Sequence, residues 1–194
     1  MRKWIPLGIV FAAGSIFASP ITYNVALTGP GESPPNASTG TGFAVVTIDS
    51  TANTLNIVSE VFSGLLGTTT ASHIHCCTGV PGTGTAGVAT QVPSFSGFPL
   101  GVTSGSYSMS FDMTLASTWN PAFITAKGGT PADAEAALVA GAAAGEAYLN
   151  IHSTFAPGGE IRGFLVAVPE PGTLSLAVAS LAGILLAWKR RERH

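Results

Sequence analysis

Charge is the scarcest commodity in this chain: only 9% of its 194 residues are charged, with eight Lys and Arg against ten Asp and Glu. The cations are also badly distributed. Arg2, Lys3, Lys189, Arg190, Arg191 and Arg193 sit at the two ends, leaving only Lys127 and Arg162 between them. Against Glu32, Asp49, Glu60, Asp112, Asp133, Glu135, Glu146 and Glu160, those two cations give the middle of the chain a net charge of −6. Such a surface repels phosphate backbones and has no basic stripe from which to release counterions, so nucleic acid is excluded as a partner.

A long helical period is also missing. Gly, Thr, Ser and β-branched residues recur between closely spaced turn clusters, which reads as all-β. Candidate strands are residues 21–28, 42–49, 54–62, 71–76, 105–115, 147–153 and 161–168, and residues 88–92 can add a short edge strand. Asp49 to Asn53 has the composition of a hairpin turn. One short helix is expected at 132–140, with Thr130 as N-cap, Pro131 at its first position, Asp133 and Glu135 at the positive end of its dipole, and Gly141 to end it. Strands, one helix, then two more strands imply an antiparallel Ig-like or Greek-key β-sandwich of about seven or eight strands, not a parallel α/β fold.

Recognisable catalytic constellations are absent. Residues 78–105 carry seven glycines and three prolines, but none of these glycines follows a strand and opens a helix, so a phosphate-binding loop is excluded. The stretch reads as a long surface connection, a common place for function. No Ser/His/Asp order and no spaced carboxylate pair suggests a hydrolase. The sequence is not expected to encode an enzyme. Asn36-Ala37-Ser38 matches a glycosylation sequon, a pattern short enough to occur by chance.

What the chain does have is a set of paired histidines. His73-Ile74-His75 and Asn150-Ile151-His152 both lie in strand-like segments. Residues two apart on a strand share a face, so His73 and His75 project together, as do Asn150 and His152. If the two strands are neighbours, three imidazoles form a site suited to copper or zinc. The alternative is a purely structural cluster, in which the rings bond buried carbonyls or carboxylates and tie the strands together. Glu32, Glu146 and Glu160 are candidate partners behind the ligands, although solvent exposure is the ordinary state of each.

Cys76 and Cys77 follow directly. An exported protein favours their oxidation, but neighbours on a strand point to opposite faces, which is unlike ordinary disulfide geometry. A bridge between the two, ligation by the Cys77 thiolate from the nominal histidine face, and pairing between chains all remain open.

The ends carry targeting signals. Arg2 and Lys3, an apolar stretch from 5 to 17, and small residues around Ala18 and Ser19 make an N-terminal signal peptide, residues 1–19. The last 27 residues contain Pro169-Glu170-Pro171, an apolar run at 174–188 and a final basic cluster. At about 1.5 Å per residue the run reaches roughly 24 Å, a little short of a ~30 Å hydrocarbon core, so it is a marginal transmembrane helix with its basic end held on the cytoplasmic side. This three-part tail, 168–194, resembles the PEP-CTERM sorting tails of Gram-negative bacteria, in which Pro169, Glu170 and Pro171 would be the recognition motif. The resemblance implies an exosortase-type processing enzyme as partner, membrane anchoring before processing, and delivery to the cell surface or extracellular matrix, with exopolysaccharide or envelope components as further candidate partners.

Between the ends, residues 20–167 resemble the CHRD domain. The likeness rests on Leu27-Thr28-Gly29, Glu32-Ser33-Pro34-Pro35, Thr39-Gly40-Thr41-Gly42, His73-Ile74-His75, and the closing block from Gly145 through Asn150 and His152 to Pro157-Gly158-Gly159-Glu160-Ile161-Arg162-Gly163. It implies a secreted β-sandwich and marks His73, His75, His152, Asn150 and Glu160 as family-type positions. Cys76 and Cys77 depart from the pattern, since a glycine typically follows the second histidine. Paired strand histidines are similar to those of the copper-zinc superoxide dismutases as well, but three domain histidines cannot furnish that family's bimetal site. The expected function is a non-catalytic structural or binding module, with a copper or zinc protein as the alternative.

Overall fold

A computed structural model describes residues 20–169. The expected signal peptide, and Glu170, Pro171 and the rest of the sorting tail, lie outside the described residues, while Pro169 is the last one inside. No helix among the described residues is long and apolar enough to cross a membrane.

The strands are β1 Ile21–Thr28, β2 Thr41–Asp49, β3 Thr54–Ser63, β4 Thr69–His75, β5 Gly105–Asp112, β6 Tyr148–Ser153, β7 Ile161–Phe164 and β8 Val166–Ala167. They form one sheet in the order β4-β6-β7-β1-β2-β3-β5, with β8 also on β1, and every pairing is antiparallel. The expected two faces of a sandwich are arms of this single sheet, which curls into a half-barrel. Period-two alternation sends Tyr23, Val25 and Leu27 of β1 inward, where they meet Ile74, Leu149 and Ile151 from the other arm.

A bulge in β3 has a chemical consequence. Val46 pairs with Ile57 but Val45 pairs with Ser59, so Val58 is the extra residue. One inserted residue reverses the parity of everything after it. Leu55 and Ile57 are therefore followed into the core by Glu60 and Phe62. Glu60 is fully buried, and its Oε1 accepts a 2.8 Å hydrogen bond from the Ser72 hydroxyl of β4, joining the two arms across the interior.

Among the described residues two α-helices are present where one was expected in the domain. Helix α1 spans Pro121–Lys127 and helix α2 Pro131–Ala143. Each starts on a side-chain cap: Asn120 accepts from the Ala122 amide, and Thr130 from the Asp133 amide. Gly141, expected to end α2, instead lies within it and buried; the chain leaves the helix at Ala144, and the positive φ of 72° falls at Gly145. The expected strand 161–168 divides at Leu165, whose amide turns to the Ala147 carbonyl. The expected 105–115 strand stops at Asp112, because that carboxylate accepts from the Thr114 amide and hydroxyl and closes a turn. Residues 88–92 make only isolated bridges, Val88 with His75 and Thr90 with Trp119.

Candidate metal centre

β4 and β6 lie side by side at one edge of the sheet, with His73 opposite Asn150, His75 opposite Tyr148 and Ala71 opposite His152. Ser72 and Ile74 point into the half-barrel, so His73 and His75 occupy its outer side, with Tyr148, Asn150 and His152 beside them. The ring centroids of the histidines are 5.8 Å apart for His73 and His75, 5.1 Å for His73 and His152, and 5.7 Å for His75 and His152. One nitrogen of each imidazole lies within 4.8 Å of those of the other two.

Each ring is held by one backbone carbonyl. His73 Nε2 donates to Pro93 O at 2.6 Å, His75 Nδ1 to Ala86 O at 2.9 Å, and His152 Nδ1 to Pro157 O at 2.9 Å. A carbonyl can only accept, so these bonds fix the proton on the bonded nitrogen. The other nitrogens, His73 Nδ1, His75 Nε2 and His152 Nε2, are bare lone pairs, buried and without a protein partner among the described residues. Burial lowers the pKa of His73 and His75 to about 4, outweighing the opposing effect of their carbonyl bonds, and it lowers that of His152 too. At neutral pH all three rings are uncharged.

The surrounding residues fix this arrangement. The Tyr148 ring stacks on His75, and its hydroxyl bonds both the amide and the carbonyl of Ala86, the residue that orients His75. Arg162, opposite Asn150 on β7, lies over the Tyr148 ring and donates to the Gly31 and Gly84 carbonyls. Thus the glycine-rich connection is ordered against the histidine face, where it supplies two of the three orienting carbonyls. Gly159 closes over Asn150: with φ at 136°, a Cβ there would fall 2.5 Å from Asn150 Nδ2 and 2.7 Å from Glu32 Oε1.

The remaining sequence candidates separate. Glu160 is fully buried and caged away from the histidines, accepting from the Ser38 hydroxyl, the Leu66 and Gly67 amides and the Ser153 hydroxyl. Burial raises its pKa, but these bonds outweigh that and leave it lowered. Glu32 is also buried, 3.7 Å from Arg162 Nε, and burial raises it to about 7 despite that cation. Solvent exposure, the ordinary expectation, is therefore corrected for both; only Glu146 is partly open. Cys76 and Cys77 are bridged to each other, and their sulfurs rest on Gly141 and Ala137 of α2, so Cys77 does not join the histidine group. Asn36 of the sequon donates to the Gly159 and Glu160 carbonyls.

Sequence reading missed Tyr148, although its spacing from Asn150 and His152 by two and four residues puts it on their face. The carbonyls of Ala86, Pro93 and Pro157 leave no side-chain signal at all.

Among known families, the CHRD domain matches residues 23–165 and the PEP-CTERM protein-sorting motif matches residues 167–191. No curated protein and no solved structure matches the chain.

Proposed function

The chain belongs to the CHRD domain family and carries a PEP-CTERM sorting motif, and from that premise we propose that it is a non-catalytic module of the cell surface or extracellular matrix that binds zinc or copper through His73, His75 and His152. The sorting motif implies export, membrane anchoring before processing, and an exosortase-type enzyme that does the processing.

The metal reading rests on the three bare nitrogens. A buried acceptor without a partner costs about 1–3 kcal/mol, so a purely structural cluster would carry that penalty three times on one small face. A metal ion satisfies all three at once. Neutral imidazoles are the preferred ligands of zinc and copper, and ligating histidines ordinarily donate their second nitrogen to a carbonyl or carboxylate, as each does here. Ligation at the usual ~2.0–2.1 Å asks the rings, whose nearest ligand atoms lie within 4.8 Å of one another, to close in.

The layout suits display from a membrane. Ile21 opens β1, and the Val168 amide donates to the Thr22 carbonyl at 2.8 Å, so both termini leave the sheet side by side. Arg162, by contrast, pairs with Thr28 at the other end of β1 and with Asn150 of the histidine face. Seven residues at ~3.3 Å each separate those ends by about 23 Å. The described domain thus has its two ends at one end of β1 and the centre towards the other.

Titration of the full-length chain in detergent with Zn²⁺ and with Cu²⁺ tests the reading. One tightly held ion per chain is expected, lost in His75→Ala and accompanied by a higher melting temperature, since a ligand at 100 times its Kd adds about 2.7 kcal/mol. A chain that retains neither ion, and melts identically with and without them, has a structural histidine cluster.

A further inference from the structure

We propose that the Cys76–Cys77 disulfide is a latch on the histidine centre, so that high metal affinity requires its oxidation and develops after export. The inference builds on the metal-binding reading and concerns regulation of the same site.

β4 ends at His75, and the next two residues carry the bridge. Returning along the free edge of β4, the chain is pinned by hydrogen bonds that include Cys76 N–H to Gly87 O at 3.1 Å, Ala89 N–H to Ile74 O at 2.9 Å, and His75 Nδ1 to Ala86 O at 2.9 Å. Ala86 thus orients His75, while the adjacent Gly87 is held by Cys76. The position of Cys76 and the direction of the His75 ring are coupled through two consecutive residues.

On its other side the bridge is seated on α2. A Cβ at Gly141 would fall 2.5 Å from Cys76 Sγ and 2.4 Å from Cys77 Sγ, so both sulfurs already touch the helix backbone. Cys76 is buried and Cys77 only partly so, which leaves Cys77 open to an incoming sulfur. Two thiols cannot remain at bonding distance; they must separate to van der Waals contact, and α2 leaves no room in its direction. Reduction opens the ring that ties the two side chains together, and the 76–78 segment loses the constraint that seats it on α2 and, with it, the fixed placing of the Gly87 bond and the Ala86 carbonyl.

The redox step balances by thiol–disulfide exchange. In the reducing cytoplasm both cysteines are thiols. After export, a disulfide oxidant accepts two electrons and two protons from them, is itself reduced to two thiols, and leaves Cys76 Sγ bonded to Cys77 Sγ. The centre then acquires its third well-oriented imidazole.

Zinc affinity of the full-length chain, measured oxidised and after reduction with a phosphine, tests the latch. Binding should weaken at least tenfold on reduction, return on reoxidation with glutathione disulfide, and stay weak in the Cys76→Ser/Cys77→Ser variant, with the far-UV sheet spectrum unchanged throughout. Equal affinity in both redox states overturns the latch and leaves the metal reading standing. No zinc or copper bound in either state overturns the metal reading and the latch with it. Loss of the sheet spectrum on reduction also overturns the latch, because the bridge would then support the whole fold.

Discussion

The imidazole of His75 lies on the ring of Tyr148 with centroids 4.8 Å apart and planes 7° from parallel, while the Tyr148 hydroxyl grips Ala86, whose carbonyl accepts the hydrogen bond from His75 Nδ1. One side chain therefore positions His75 twice, by stacking and through the backbone. Tyr148→Phe keeps the stack and drops the two 3.2 Å bonds to Ala86, at an expected cost of about 1 kcal/mol in urea denaturation. It should also weaken zinc binding severalfold. Tyr148→Ala removes the stack as well and should cost about 3 kcal/mol or more.

Glu160 is a structural counterpart of the histidines and separates fold from site. Its two oxygens accept from Ser38, Leu66, Gly67 and Ser153, drawing two loops onto the end of β6. Glu160→Gln turns a donor toward donors and removes the charge from bonds that depend on it. A loss of about 2–3 kcal/mol in chemical denaturation is expected, with metal stoichiometry unchanged.

Glu60 predicts a distinctive pH dependence. Burial raises its folded pKa to about 8 from an ordinary 4.5, with Ser72 opposing. The folded state thus keeps a proton that the unfolded state loses. Its stabilising contribution is complete below about pH 4.5, falls as pH rises, and is exhausted near pH 8. Glu60→Gln mimics the protonated form and should flatten that slope. Melting curves between pH 4.5 and 8 should show the variant gaining on the wild type, by a few kcal/mol at most. Parallel curves would place a charged Glu60 in the core.

The targeting reading predicts the mass of the native product. In a host with its sorting system intact, intact-mass analysis of the envelope fraction should find a chain lacking both the first 19 residues and the segment after the Pro169-Glu170-Pro171 motif. Recovery of Met1 to His194 whole would contradict it.

Much of the sheet was legible because period-two burial writes itself into sequence. β1 has the bounds its alternation suggests, Ile21–Thr28, and His73 and His75 share a face for the same reason. The legibility fails where one residue changes parity or where backbone does the work. Nothing in Val58-Ser59-Glu60 announces a bulge, so Glu60 counts as a surface charge until its pairing is seen. Helix α1 has only seven residues, two of them β-branched, and no room for a 3.6-residue pattern; its cue was local, Asn120 as cap before Pro121. The centre divides the same way: its three ligand candidates were readable, but the carbonyls that orient them belong to Ala86, Pro93 and Pro157, positions whose side chains say nothing about hydrogen bonding.

X-ray absorption at the metal edge of the zinc- or copper-loaded full-length chain tests the central claim most directly, because it counts the donors. The account predicts three nitrogen scatterers at about 2.0–2.1 Å with the outer-shell pattern of imidazole, reduced in number by His73→Ala or His152→Ala. A spectrum dominated by sulfur, or one of oxygen alone that is indifferent to both substitutions, would contradict it.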